Sequence, residues 1–482
     1  MEMLKKTYRL LSFVTGFFLL SAVVACSSDH EVAPRESSNY INLTLYVSGG
    51  SSVTRAPQGG ETGDGTEAGF IRENEVKGIT LVLSKGADLT DENAVIDFVA
   101  YYPVNLVEKS RVPQGTVDVP YEASYTTGDQ KVSKDDIDFT ETYQVLIIAN
   151  RDLTNRFSKN TKVSRVLEYI TENDDELVTN YTGPDPYLAD NFLMTSESKG
   201  EINFGGMTPV PVINEEDNTY QYYYRVDNLL VERMIARIDY SAANATYDAT
   251  RGGYRYGVTG STEDAFVLKK ITPFNIYNEP TYYFKRVRNS WDATVAPTIE
   301  YLGAETKTNY VVDPKTASKD KTTNLNYLSP LAADVVATSV YTQTLASEYQ
   351  QTAKFKDANG IDTHVIAYAP ENTLLPTSQL KKYATGLAFE GDYYVAGSTT
   401  PKTYTYYIYL RHQGEKGADE RYQAQFFEDL NDDEVSANVA MNFGIVRNNI
   451  YRVNIVSVRG GRLEVQIAVH DWRNVENPEI IL

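Results

Sequence analysis

Apolar and polar residues alternate strictly at two places near opposite ends of the chain. In residues 39–47, NYINLTLYV, Ile41, Leu43, Leu45 and Val47 fall on one side and Asn42, Thr44 and Tyr46 on the other. In residues 462–469, RLEVQIAV, Leu463, Val465, Ile467 and Val469 alternate with Glu464, Gln466 and Ala468. A period of two belongs to a strand with one buried face, so each stretch reads as a strand with four inward aliphatics. Trp472 falls out of phase with the second set, which predicts a bulge or turn before it. Between the two lie further strand patterns at 79–83, 95–99, 143–149, 265–269, 273–277, 364–369, 403–410 and 450–456. The clearest helical period is in KVSRVLEYI, where Val163, Val166, Leu167 and Ile170 share a face. Asn191 to Met194 opens another apolar element. A polar stretch at 214–218 and the tyrosine run 222–224 precede an apolar run from 228, which sets an expected domain boundary near Asp227. Residues 307–352 are polar and threonine-rich and read as a long surface excursion. The whole pattern predicts a mainly β chain of two sandwiches in series, with minor helices.

The first 25 residues do not fit this scheme. Lys5, Lys6 and Arg9 precede an apolar run, 10–25, that is too short and interrupted to span a bilayer comfortably, so residues 1–25 read as a signal peptide. The run ends Val23-Val24-Ala25-Cys26, which resembles a bacterial lipobox, and Cys26 is the only cysteine. The resemblance implies that Cys26 is acylated and becomes the first residue of a lipoprotein, held firmly on a membrane by several acyl chains. The acidic stretch Ser27 to Glu31 resembles a tag for the outer face of the outer membrane. With Cys26 acylated no thiol remains for a disulfide, and stability must come from apolar burial. The formal net charge of −20 argues against nucleic acid, which needs a basic surface. Thirty-seven tyrosines reinforce the β assignment, since tyrosine favours pleated, half-exposed surfaces.

Candidate chemistry is sparse. None of the four histidines, His30, His364, His412 and His470, has metal-ligand spacing. There is no nucleophile elbow and no phosphate-binding loop. Asp429, Asn431 and Asp433 imitate the start of a calcium loop, but Glu434 stands where glycine is required and Ala440 where a bidentate glutamate is required, so a solvated acidic turn is expected. Tyr404, Tyr406, Tyr407 and Tyr409 could stack on sugars, yet a sheet face explains them more simply. No catalytic residue, metal or cofactor is assigned, and the chain reads as a non-enzyme.

The segment after the first alternating strand is more informative. A Gly-Gly-Ser-Ser loop leads to Thr54-Arg55-Ala56-Pro57, an exposed basic connection of the kind a trypsin-like protease cuts. Cutting between Arg55 and Ala56 would release a strand built for a core, and something must then fill its place. LLVERMIARIDY (229–240), HVIAYAPENT (364–373), YYIYLRHQ (406–413), FGIVRNNIYRVNI (443–455) and the terminal Val469 and Trp472 are similar to the fimbrillin family of type V pilus subunits. The resemblance implies two transthyretin-like β-sandwich domains, here 56–227 and 228–482, after a lipidated propeptide 26–55. It also implies loss of the strand carrying Ile41, Leu43, Leu45 and Val47 to an arginine-specific protease. Donor-strand exchange would follow, with the donor in 462–482 through Leu463, Val465, Ile467 and Val469; the competing expectation is that 463–469 is a permanent strand of the second domain and the tail 474–482 is the donor. The expected partners are other copies of the chain, accessory, tip and anchor subunits of the fimbrium, and a host glycan or protein bound in adhesion. The expected location is the fimbrium, with the lipidated precursor on the cell outer membrane. The stalk subunit is the leading expectation. A tip or accessory subunit, or a monomeric glycan-binding surface lipoprotein, is the alternative.

Overall fold

A computed structural model describes residues 37–47, 66–86, 89, 91–109, 123–172, 177, 189–196, 200–216, 219–288, 299–301, 310–318, 326–335, 342–345, 354–357, 359–411, 421–435, 440–459 and 461–473. The chain is mainly β. An eleven-stranded first sheet runs in the order Phe98–Pro103, Gly78–Lys85, Thr142–Ala149, Met194–Ser196, Thr219–Arg233, Ser37–Val47, Ala123–Thr126, Asn105–Lys109, with three short strands alongside. A seven-stranded second sheet runs Thr66–Ala68, Arg462–Arg473, Asn449–Arg459, Ile235–Ser241, Asp362–Pro370, Lys354–Lys356, with Arg421–Ala424 beside the second of these. A six-stranded third sheet is centred on Ala265–Phe274 and Gly386–Tyr394. The second and third sheets share one core: Ile238, Ile366, Val453 and Ile467 from one meet Phe266, Leu268, Phe389 and Tyr406 from the other. Alternating inward side chains on two facing sheets make a sandwich. The first sheet encloses a separate core that includes Ile41, Leu43, Leu45, Leu81 and Ile147.

Most elements appear where the periodicity put them, and the differences have local causes. Thr219–Arg233 is one continuous strand of the first sheet, and the chain changes sheet at Met234 rather than near Asp227. The polar break read as a boundary is a bulge: Leu43 lies opposite Val226 but Leu45 opposite Leu229, and Asn228 adopts φ 63°. The helix covers only Val163–Leu167, and Ile170 lies beyond it, exposed. Residues 265–274 form one strand, and the strand expected at 95–99 begins at Phe98. The polar region 307–352 contributes only short pieces, among them Tyr310–Val311 and Gln343–Thr344. Trp472 follows no interruption: Arg462–Arg473 is continuous, and its ladder irregularity lies between Ile455 and Ser457 on the partner strand. The residue is out of phase because Leu463 to Val469 face the sandwich core whereas Trp472 packs into the core of the first sheet.

The second sheet contains a group that ties its stability to pH. His364 is buried, and its Nε2 lies 2.7 Å from the Tyr254 hydroxyl. Burial, aided by Lys354, pushes its pKa down to about 4. The unfolded chain takes up the histidine proton near the ordinary value of about 6.5, before the folded chain does, so stability falls as pH drops from about 6.5 towards 4. His364→Gln is expected to flatten that part of the pH profile of the unfolding midpoint, measured by circular dichroism. An unchanged profile would assign the pH dependence to other groups.

Candidate functional site, the slot of the first strand

Ser37–Val47 occupies an interior position of the first sheet. One edge runs parallel to Thr219–Arg233, from Ser37 opposite Tyr220 to Val47 opposite Val231. The other edge is antiparallel to Ala123–Thr126 and to Gln130–Val132. Ile41, Leu43 and Leu45 are 0% exposed and Val47 1%, as their alternation requires. Each contributes about 1.5–3 kcal/mol by burial. The outward side is also fixed: Tyr40 stacks on Tyr223 with centroids 4.9 Å apart. The Asn42 amide donates to Asp129 (3.0 Å) and its carbonyl accepts from the Thr126 hydroxyl (2.6 Å). Without this strand, two ladders would lose their partner and the inward slot would be an open apolar groove, a surface that readily takes up another strand. Cys26, Arg55 and Ala56 lie outside the described residues.

Leu463, Val465 and Ile467 are 0% exposed and Val469 3%. Their strand is paired along one edge with Asn449–Arg459, and along the other with Arg421–Ala424 and, in parallel, with Thr66–Ala68. Here these residues are an interior strand, and they could be donated only after those ladders and the sandwich core open. Residues 474–482 lie outside the described residues.

The motifs that carry the resemblance meet at the junction of the sheets as buried polar groups. Arg233 donates from Nε to the Glu73 carbonyl (2.9 Å) and from Nη1 to Asn448 Oδ1 (2.9 Å) and to the Trp472 carbonyl (2.8 Å). Its guanidinium lies 4.6 Å from the Trp472 ring centroid, and burial lowers its pKa to about 9. Arg237 pairs with Glu73 (2.8 Å) and, through two nitrogens, with Asp239 (3.0 and 3.1 Å). Glu73 also accepts from the Phe70 amide (2.7 Å) and from the Tyr368 hydroxyl. Arg447 grips Glu371 bidentately (2.8 and 2.8 Å) and donates to the carbonyls of Tyr283 and Tyr282. Buried charges of this kind are stable only when hydrogen-bonded or paired: Arg237 and Arg447 meet carboxylates, and Arg233 meets carbonyl and carboxamide oxygens. The first residues described beyond Arg55, Thr66–Ala68, and the Phe70–Asn74 segment after them are thus fastened to the body independently of Ser37–Val47. The fastening was hidden in the sequence, although Arg233, Arg237 and Asp239 inside the apolar run 229–240 were a signal for it.

The remaining candidates are packing groups. Tyr406 stacks on Phe426 (5.1 Å), and Tyr407 and Tyr409 pack around Phe274. Asn431 accepts from the Asp433 amide (2.7 Å), closing a local turn. Among the described residues no group of three His, Cys, Asp or Glu could hold a metal, and no helix is long and apolar enough to cross a membrane. His30 and His412 lie outside the described residues.

No protein-family model matches the chain, and no curated protein matches it. Similar solved structures include a fimbrilin, FimA, from Porphyromonas gingivalis W83, at 12% identity and TM-score 0.38 over 92% of this chain and 99% of that one. The tip fimbrial protein Mfa3 from Porphyromonas gingivalis, truncated at its carboxyl terminus, is similar at 10% identity and TM-score 0.36 over 90% of this chain and 100% of that one. A protein of Parabacteroides distasonis ATCC 8503 described as a candidate cell adhesion protein is similar at 14% identity and TM-score 0.40 over 90% and 100%.

Proposed function

We propose that the chain is a subunit of a surface fimbrium, a structural and adhesive protein rather than an enzyme. It is exported as a lipoprotein through Cys26, cut after Arg55 by an arginine-specific protease, and assembled by strand exchange with other fimbrial subunits. The observation that carries this reading is the slot: a core strand, Ser37–Val47, separated by a cuttable connection from a body fastened on its own at 66–74. Before cleavage the chain's own strand fills the slot. After cleavage that strand is held only by non-covalent contacts, and the slot can take a strand in trans. A stalk subunit must also offer a donor from 462–482. Because Leu463 to Val469 are paired on both edges, the stalk reading assigns the donor to 474–482, and that same pairing favours a tip or accessory subunit as the second reading.

Two variants separate these cases. Val465→Asp with Ile467→Asp puts two unpaired charges in the sandwich core and is expected to abolish cooperative unfolding of the uncut precursor. Deleting 474–482 is expected to leave unfolding unchanged and to stop the cleaved protein from forming fibres. Fibres of normal length from the deletion would refute the tail as donor. Wild-type cleaved protein that adds to the end of a fibre but never self-assembles would mark a tip subunit.

A further inference from the structure

The first strand is gripped at its middle by a turn as well as by its ladders. Ile41 lies opposite Gln130 and Thr44 opposite Thr126, and the turn 126–130 between these partners holds Asn42 and Leu43. The Asn42 amide donates to Asp129 Oδ1 (3.0 Å), and its carbonyl oxygen accepts from the Thr126 hydroxyl (2.6 Å). The Leu43 N–H donates to the Thr127 hydroxyl (3.0 Å), and the Leu43 carbonyl accepts from the Thr127 amide (3.1 Å). Gly128 at φ 63° closes the turn; its amide donates to the Thr126 hydroxyl, and its carbonyl accepts from that of Thr127. A side chain at the place of Asn42 must therefore donate to Asp129 and accept from Thr126. A carboxamide does both, whereas a carboxylate there would face Asp129 as a like charge.

Residues 474–482 read NVENPEIIL. Laid along the slot in the direction of the first strand, this tail has two registers that turn Pro478, Ile480 and Leu482 inward. One puts them at the places of Leu43, Leu45 and Val47 and brings Asn477 to the place of Asn42. The other, shifted by two residues, puts them at Ile41, Leu43 and Leu45 and brings Glu479 against Asp129. The proline also separates the two. At Leu43 it removes only the donation to the Thr127 hydroxyl, which keeps its bond to the Gly128 carbonyl. At Ile41 it would remove an N–H that faces Gln130 in the ladder. We propose that the turn is the register key of the slot, admitting the tail of a second copy with Asn477 in the place of Asn42. The inference rests on the reading of the slot as a site of strand exchange with 474–482 as the donor. In this register Glu476 replaces Ile41, so the tail gains less burial there than the strand it displaces, in keeping with a slot that holds its own strand until the cut.

The test uses full-length precursor cut after Arg55, with fibre formation followed by light scattering and electron microscopy. Asn477→Asp is expected to assemble about tenfold more slowly than wild type, because its carboxylate replaces a hydrogen bond to Asp129 with repulsion. Adding Asp129→Asn supplies an amide donor to that carboxylate and is expected to restore the wild-type rate, which a folding defect at either position would not allow. Glu479→Gln is expected to leave the rate unchanged. Assembly of Asn477→Asp at the wild-type rate, or a double variant as slow as the single one, would overturn the register key while leaving strand exchange intact. Faster assembly of Glu479→Gln would also overturn it, by favouring the shifted register. Cut wild-type protein that forms no fibres would overturn both the key and the reading of the tail as donor.

Discussion

A precursor carrying Arg55→Ala is expected to remain an intact, lipidated monomer and to form no fibres under conditions in which wild type assembles. The uncut strand competes for its slot as part of the same molecule, at an effective concentration that short linkers set in the millimolar range. Only 18 residues separate Val47 from Thr66, so the tether is short on the scale of the sheet. A second basic residue, Arg35, does not provide a bypass, because a cut there leaves Ser37–Val47 attached to the body. Assembly is read by electron microscopy and by the size of the surface-extracted protein, with expected loss of at least a hundredfold in fibre yield. Fibres of normal length from Arg55→Ala would remove cleavage from the account.

Glu73→Ala is expected to be the most damaging single change in the folded body. The cluster around it holds Arg233, Arg237 and Arg452 against Glu73 and Asp239, all buried, with Arg452 donating to Asp239 at 3.0 Å. Removing the Glu73 carboxylate leaves Arg237 and Arg452 sharing Asp239 beside the buried Arg233 guanidinium, and deprives the Phe70 amide and Tyr368 hydroxyl of their acceptor. Breaking a buried pair from one side costs about 3–5 kcal/mol, a large share of the stability of an ordinary domain. Glu73→Gln keeps one acceptor oxygen where Glu73 uses two, Oε2 for the Phe70 amide and Oε1 for the Tyr368 hydroxyl, and is expected to cost less than alanine. Denaturant unfolding of the two variants checks this, and an alanine variant within about 0.5 kcal/mol of wild type would show that the cluster does not hold the junction.

Sequence periodicity located what depends on local alternation. The inward sets Ile41 to Val47 and Leu463 to Val469 are buried as their phase demanded, because a one-residue slip would expose the whole set. What escaped depends on tertiary partners. The strand Thr219–Arg233 was divided near Asp227 because a bulge carries the same polar residues as a linker. The Leu463–Val469 strand looked free, since period two states that a face is buried but not against which sheet. Trp472 seemed to announce a turn because its phase follows a second core that alternation cannot show.

The most direct test of the exchange account counts the released strand. Precursor labelled isotopically is cut after Arg55 and allowed to assemble, and the fibres are separated from the supernatant and analysed by mass spectrometry. Strand exchange predicts the 26–55 peptide outside the fibres, in the detergent-extracted and soluble fractions together, at about one per subunit incorporated, with none in the fibres. Fibres that retain residues 37–47 at one copy per subunit would contradict it.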